Sequence, residues 1–156
     1  MNLDKPWEDE SVIRQSMRIM DSFERWLKRP LCDRSGSQAD QAYQLFHVPF
    51  VVVSHGTQED PILNYGNRTA LDLWEADFAA LTKMPSRKAA EPVHRDERAS
   101  MLERTTRDGY IDDYSGVRIS VTGKRFHIAQ AIVWNLVDQD GNPAGQAATF
   151  ADWQML

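Results

Sequence analysis

Four histidines, one cysteine and the carboxylate pairs Glu59/Asp60 and Asp112/Asp113 are the residues with which this chain could do chemistry. His47, His55, His94 and His127 fall in a turn, a loop, a helix start and a strand, and no two share the H-x-x-x-H spacing that aims two imidazoles at one metal. Cys32 stands alone, which excludes an intramolecular disulfide and a multi-cysteine zinc site. Glu59/Asp60 and Asp112/Asp113 are neighbours in sequence, and neighbouring side chains on extended backbone point apart. They suit a cap and a turn better than a general acid and base. Asp113 is the stronger candidate for a buried role, as an ion-pair partner of Arg118 or Arg87. Ser54-His55-Gly56 lacks a nucleophile elbow, and a serine beside its histidine cannot face it on a strand. Gly109, Gly116 and Gly123 are isolated turn glycines, not a phosphate-cradling loop. No catalytic residue and no metal ligand is assigned.

What does converge is a set of rings from separated segments: Tyr65, Trp74, Phe78, Tyr114, Phe126, Trp134 and Phe150, with Arg68 or Arg118 able to orient a polar group among them. The elements that must position them follow from periodicity. Over Glu8–Arg29, Val12, Ile13, Met17, Ile19, Met20, Phe23, Trp26 and Leu27 occupy one half of a helical wheel, and Pro30 stops the helix. That arc is wider than the roughly 100° stripe of an ordinary surface helix. Leu31–Ser37 reads as a linker and Gln38–Phe46 as a second helix. Phe50–Val53 and Pro61–Tyr65 read as strands, Asn67 caps a helix carrying Leu71 and Trp74, and Asp77 caps a turn containing Phe78. Met84 opens an irregular stretch, and Arg95–Asp108 is a helix that Gly109 ends. Three strands close the sequence. On the longest, strict alternation places Phe126, Ile128, Ile132, Trp134 and Leu136 on one face and Arg125, His127, Ala129, Val133 and Asn135 on the other.

Two strands, a helical middle and three antiparallel strands is the order of a PAS domain. Asn64-Tyr65-Gly66-Asn67-Arg68-Thr69-Ala70 resembles the N-x-A entry to the first PAS helix, and Glu91–Arg98 resembles the start of the long one. The sequence is more closely similar to the MEKHLA family, a PAS-like group also found at the carboxyl end of plant homeodomain–leucine-zipper regulators. The shared stretches are Ser54-His55-Gly56-Thr57 with Asp60-Pro61, Asn64–Asn67, Pro85-Ser86-Arg87 with Ala90-Glu91, Gly109–Arg118 and Val133-Trp134-Asn135. They lie between Phe50 and Trp153, and the homeodomain and zipper segments have no counterpart in this sequence.

The resemblance implies an α+β fold, a five-stranded antiparallel sheet with small helices on one face. Residues 1–36 are a helical extension with its linker, and 37–156 are the PAS-like domain. It implies a non-enzymatic sensory or interaction module binding a small ligand or a protein partner. The pocket would be formed by Tyr65, Arg68, Leu71, Trp74, Phe78, Met84, Tyr114, Arg118, Phe126, Trp134 and Phe150. The same rings could equally be a filled core. Flavin photosensors of this fold carry a reactive cysteine in the helical middle, whereas Cys32 lies outside it. Haem-binding members use a histidine of the long helix, for which His94 is the sole and unsupported candidate. Neither cofactor is expected.

The first helix is expected to use part of its arc on the sheet, near Ala129, Ala131 and Val133. The rest, through Val12, Met17, Ile19, Phe23 and Trp26, would form a homodimer. An alternative is a small NTF2-like enzyme with Asp113 and His127 as an acid–base pair, although that fold places its helices before most of its sheet. With 42% apolar and 26% charged residues and a net charge of −5, the chain reads as one soluble domain. It has no basic surface for nucleic acid and no apolar run near the roughly 20 residues of a membrane span. The acidic MNLDKPWEDE start does not resemble a secretory signal, so the cytoplasm is expected.

Overall fold

The computed structural model describes residues 4–156. After a short 3-10 turn at Pro6–Glu8, helix α1 runs over Glu10–Leu27, capped by the Asp9 carboxylate on the Ser11 N–H and closed by Lys28 at φ 59. The helix is therefore slightly shorter at both ends than its apolar pattern predicts. Helix α2, Gln38–His47, starts in a capping box formed by Ser37 and Asp40. Strands β1 (Val51–His55) and β2 (Leu63–Gly66) follow, then α3 (Arg68–Trp74) and α4 (Phe78–Leu81), capped by Asn67 and Asp77. Two 3-10 turns lead into α5, Arg95–Asp108, which ends at Gly109. That glycine sits at φ +91 with the Trp26 ring where a Cβ would be. The last strands are β3 (Tyr110–Ile119), β4 (Arg125–Val137), β5 (Pro143–Phe150) and β6 (Asp152–Met155).

The sheet is antiparallel in the order β2-β1-β5-β4-β3, with β6 also paired to β4. Ile132 opposes Thr149 and Ala129 opposes Asp152, so β6 continues β5 in unchanged register past a break at Ala151. The expected five strands are present, the last of them in two pieces.

Register between β3 and β4 shifts twice, first between Ile111 and Tyr114 and again between Tyr114 and Gly116. One extra residue on β3, at Asp112-Asp113, is answered by one on β4, where Gln130 takes φ 53. The offset inverts the alternation within β4. Ile128 and, beyond the bulge, Ala131 and Val133 face the small helices, while Trp134 faces the opposite way. This corrects the strict alternation read from sequence, because a one-residue slip sends every later side chain to the other side.

Helix α1 covers that opposite side. The Trp134 indole donates to the Ile19 carbonyl (3.2 Å) with the Phe23 ring edge-on to it at 5.0 Å, and Trp26 donates to the Asn135 carbonyl at 2.9 Å. The Val137 N–H donates to Ser22 Oγ (2.9 Å), and Gln15 reaches Ser54 Oγ (3.1 Å). Val12, Met17, Ile19 and Phe23 are buried within the chain's own fold and Trp26 is half-buried. The arc that periodicity offers to a second chain is thus used intramolecularly, at Trp134 rather than at Ala129, Ala131 and Val133.

On the other layer, the fully buried Asn67 joins three segments. Its Oδ1 accepts from Val52 N and Ala70 N (both 3.1 Å), and its Nδ2 donates to Phe50 O (2.8 Å) and Leu45 O (3.3 Å). Glu75, just past α3 at φ 58, fastens the β3–β4 turn: it accepts from Ser120 (2.8 Å) and Thr122 and pairs with Lys124 at 3.0 Å. The Thr122 and Lys124 contacts, with Ser120, hold its carboxyl at about 2, below the ordinary 4.5. A depressed carboxyl pKa stabilises the fold above the ordinary value and ceases to do so as pH falls through the folded one. In a carbon-detected NMR titration the Glu75 carboxyl should therefore move near pH 2, and melting curves of wild type and Glu75→Gln, separate at neutral pH, should converge there. A midpoint at the ordinary value would show the clasp to be absent in solution.

Candidate functional site

A cavity of about 80 Å³ lies between the inner face of the sheet and the helices α3 and α5. Its floor is Val53 of β1, Ile128, Ala131 and Val133 of β4, and Ala148 and Phe150 of β5. Trp74 of α3 and Met101 and Leu102 of α5 form the opposite wall. The polar rim is contributed by His55, Ser86, Arg98, Tyr114, Arg118 and Gln146.

His55 Nδ1 lies 3.0 Å from the Gly56 carbonyl, which fixes it as the donor and leaves Nε2 as a bare acceptor. That Nε2 is buried and has no hydrogen-bond partner, and neither has the buried Trp74 Nε1. Burial lowers the His55 pKa from its ordinary 6.5, opposed by the Gly56 carbonyl and the neighbouring Gln146 side chain and reinforced by the Arg98 charge, which favours the neutral ring. Arg118 is only 6% exposed. Its Nη1 donates to Val117 O and its Nη2 to the Tyr114 hydroxyl, both at 2.8 Å, with the guanidinium 5.2 Å from the Tyr114 ring centre. Arg98 donates to Ser86 Oγ, and burial together with the Arg118 charge pushes its pKa down to about 10. Gln146 ties the site to its scaffold, with Nε2 in reach of Leu102 O (3.2 Å), Thr106 Oγ1 (3.0 Å) and Asn135 Oδ1 (3.0 Å).

Of the residues predicted from sequence, Trp74, Tyr114, Arg118 and Phe150 meet on this cavity. Phe126 stands behind Trp74, edge-on at 5.2 Å. Tyr65 pairs with Ser54 and is fully buried, its hydroxyl without a hydrogen-bond partner, and Trp134 is under α1. Arg68 lies over the Phe46 ring (5.4 Å) and borders a separate surface groove with Leu71 and Phe78. Met84 is half-buried outside the lining, its carbonyl accepting from Leu63 N.

His55, Arg98 and Gln146 are the site residues that sequence reading misses. A signal existed for Arg98, since Arg98, Met101, Leu102 and Thr105 fall at i, i+3, i+4 and i+7, one face of α5.

Asp113 does not reach Arg118 or Arg87. It is 66% exposed in the β3 bulge and pairs with Arg104 at 3.3 Å, while Arg87 pairs with Asp60 at 3.1 Å. An Asp113–His127 acid–base pair in an aromatic pocket is not assembled. Among the described residues no group of three or more His, Cys, Asp and Glu could hold a metal. Cys32 packs against Met20 Sδ (3.8 Å), its thiol pKa raised by burial, and His94 ends a 3-10 turn; neither lines the cavity. At about 80 Å³ the space is roughly half the 150 Å³ or so that admits benzene.

The MEKHLA domain matches residues 13–155. The chain belongs to the MEKHLA family. The homeobox-leucine zipper protein HOX10 of Oryza sativa subsp. indica is 22% identical over 139 residues, which cover 88% of this chain and 17% of the rice protein. This MEKHLA chain thus spans less than a fifth of the length of that relative. Among solved structures, a PAS domain from Colwellia psychrerythraea aligns with a TM-score of 0.61 at 12% identity, over 75% of this chain and 94% of that one. The light-state dimer of the fungal blue-light photoreceptor Vivid gives 0.59 at 10% identity, over 87% and 93%. The fold is therefore PAS-like, with an N-terminal helix laid across the sheet. No helix among the described residues is long and apolar enough to cross a membrane.

Proposed function

We propose that this MEKHLA chain is a sensory module, not an enzyme, whose central cavity takes a small ligand and passes the change to α1. The observation that carries the reading is the pair of unpartnered buried atoms, His55 Nε2 and Trp74 Nε1, on residues that line the same cavity. More than about 90% of buried polar groups in folded proteins are paired, and each that is not costs on the order of 1–3 kcal/mol. A solute that donates to the imidazole and accepts from the indole removes both costs. The cavity floor and the seat of α1 are opposite faces of one strand, β4, which supports α1 as the output.

Saturating ligand should stabilise the fold by about 2.7 kcal/mol at a hundredfold excess over Kd. A thermal-shift screen of metabolites should yield a saturable hit that also perturbs tryptophan fluorescence. Trp74→Phe, which keeps a ring and deletes the N–H, should weaken the binding, while the outward His127→Ala should not. A screen with no saturable hit, or a hit indifferent to Trp74→Phe, would remove the cavity from the account. The cytoplasm remains our placement, in keeping with a net charge of −5 and a single cysteine. Nucleic acid is not among the proposed partners. Homodimerisation is proposed only through surface outside the buried arc of α1.

A further inference from the structure

Taking the cavity as a ligand site, as proposed above, we infer that its ligand is a short-chain organic carboxylate, of about two to four carbons, held by Arg118 and Arg98. Two guanidinium groups border a single small space, and one of them is 6% exposed. Buried charges in proteins are nearly always paired, because an isolated ion loses far more hydration than neutral surroundings return. Among the described residues no carboxylate lies within 4.0 Å of either arginine. Nearby acids are engaged elsewhere: Asp60 with Arg87, Asp113 with Arg104 and Glu75 with Lys124, while Glu97 Oε1 accepts from the Tyr114 hydroxyl at 3.4 Å and pairs with neither guanidinium. The Arg118 donors that are engaged go to a carbonyl and a phenol, neither of which cancels a charge. A guanidinium carries five N–H groups, and the rest of this fork has no acceptor among the described residues.

An anion is what this arrangement lacks. A planar carboxylate matches the fork of an arginine through two parallel hydrogen bonds. The rest of the space chooses the remainder of the molecule. Ile128, Ala131, Val133 and Phe150 present hydrocarbon, which suits a short carbon chain and gives a second phosphate-like oxygen set nothing to bond. The cavity volume of about 80 Å³ limits that chain to a few atoms. His55 Nε2 and Trp74 Nε1 remain for a hydroxyl or oxo substituent.

The test uses the whole chain, dialysed into carboxylate-free buffer and titrated calorimetrically with acetate, glycolate, pyruvate and butyrate. Acetamide serves as the neutral counterpart and inorganic phosphate as the competing anion. At least one carboxylate should bind with one-to-one stoichiometry and acetamide should not. Arg118→Gln should weaken that binding about ten- to a hundredfold, the range for a hydrogen bond to a charged group. Circular dichroism checks that the variant is folded; should it not be, Arg98→Gln, at a less buried position, provides the same readout with a loss of about tenfold or more. Equal binding of acetamide, binding of phosphate alone, or a carboxylate bound as tightly by folded Arg118→Gln and Arg98→Gln overturns the inference. A neutral solute that binds and perturbs Trp74 while every carboxylate fails would overturn the anion and leave the cavity reading standing. Failure of every solute, including those of the wider metabolite screen, overturns both.

Discussion

Asn67→Ala should remove a large share of the protein's folding stability. The side chain is fully buried and makes four hydrogen bonds, to Val52 N, Ala70 N, Phe50 O and Leu45 O. Alanine strands two N–H groups and two carbonyls where water does not reach. At about 1–3 kcal/mol for each buried group left unpaired, the sum is at least about 4 kcal/mol. The whole stability of a domain this size is on the order of 5–15 kcal/mol. Ser37→Ala makes the comparison informative. Ser37 also caps a helix, by accepting from Asp40 N at 3.1 Å, but it is exposed and its loss should cost only about 1 kcal/mol. Urea denaturation of the two variants separates a cross-brace from a cap: similar midpoints would mean that the reach of Asn67 to Leu45 and Phe50 contributes nothing.

Phe23→Glu combined with Trp26→Glu should abolish the cooperative thermal transition and the near-ultraviolet dichroism. Phe23 is fully buried against Trp134, at 5.0 Å and nearly perpendicular, and the Trp26 indole is bonded to Asn135 O. Truncating a buried phenylalanine costs about 3–5 kcal/mol. A glutamate adds the expense of placing a carboxylate in hydrocarbon. A folded double variant with half the wild-type mass in light scattering would instead make this arc of α1 an interface between chains. That outcome would displace α1 from the position described here.

Much of the fold is legible in the sequence because short-range chemistry decides it. Asn67, Asp77 and Gly109 announce helix ends by cap type, and the order of strands and helices follows from the change of period at Phe50. The inverted face of β4 is not legible. A bulge residue with positive φ is ordinarily glycine, whereas here a glutamine, Gln130, takes that conformation and two aspartates form the compensating bulge on β3. Nothing local distinguishes that stretch from a regular strand. Periodicity also shows that α1 has a broad apolar arc without saying what covers it. That depends on Trp134 turning outward, which the bulge alone determines. At the site, rings are conspicuous in sequence and so Trp74, Tyr114 and Phe150 are found. Arg98 reads as one more charge on an exposed helix, because the third dimension is what lines it up with Arg118.

Val133 and Trp134 are consecutive residues, one in the cavity floor and the other in the bearing on which α1 rests. The rise between them is about 3.3 Å, so under the proposed function the ligand contact and the α1 contact lie a single peptide plane apart. Under that reading, a solute pressing on Val133 would act on the peptide plane that also carries the Trp134 indole, hydrogen-bonded to Ile19. Coupling of that kind needs no relay of side chains across the domain. The same reading sets a limit on tolerance: if the cavity is a ligand site coupled to α1, enlarging Val133 or Ala131 should act on α1 as a bound solute would.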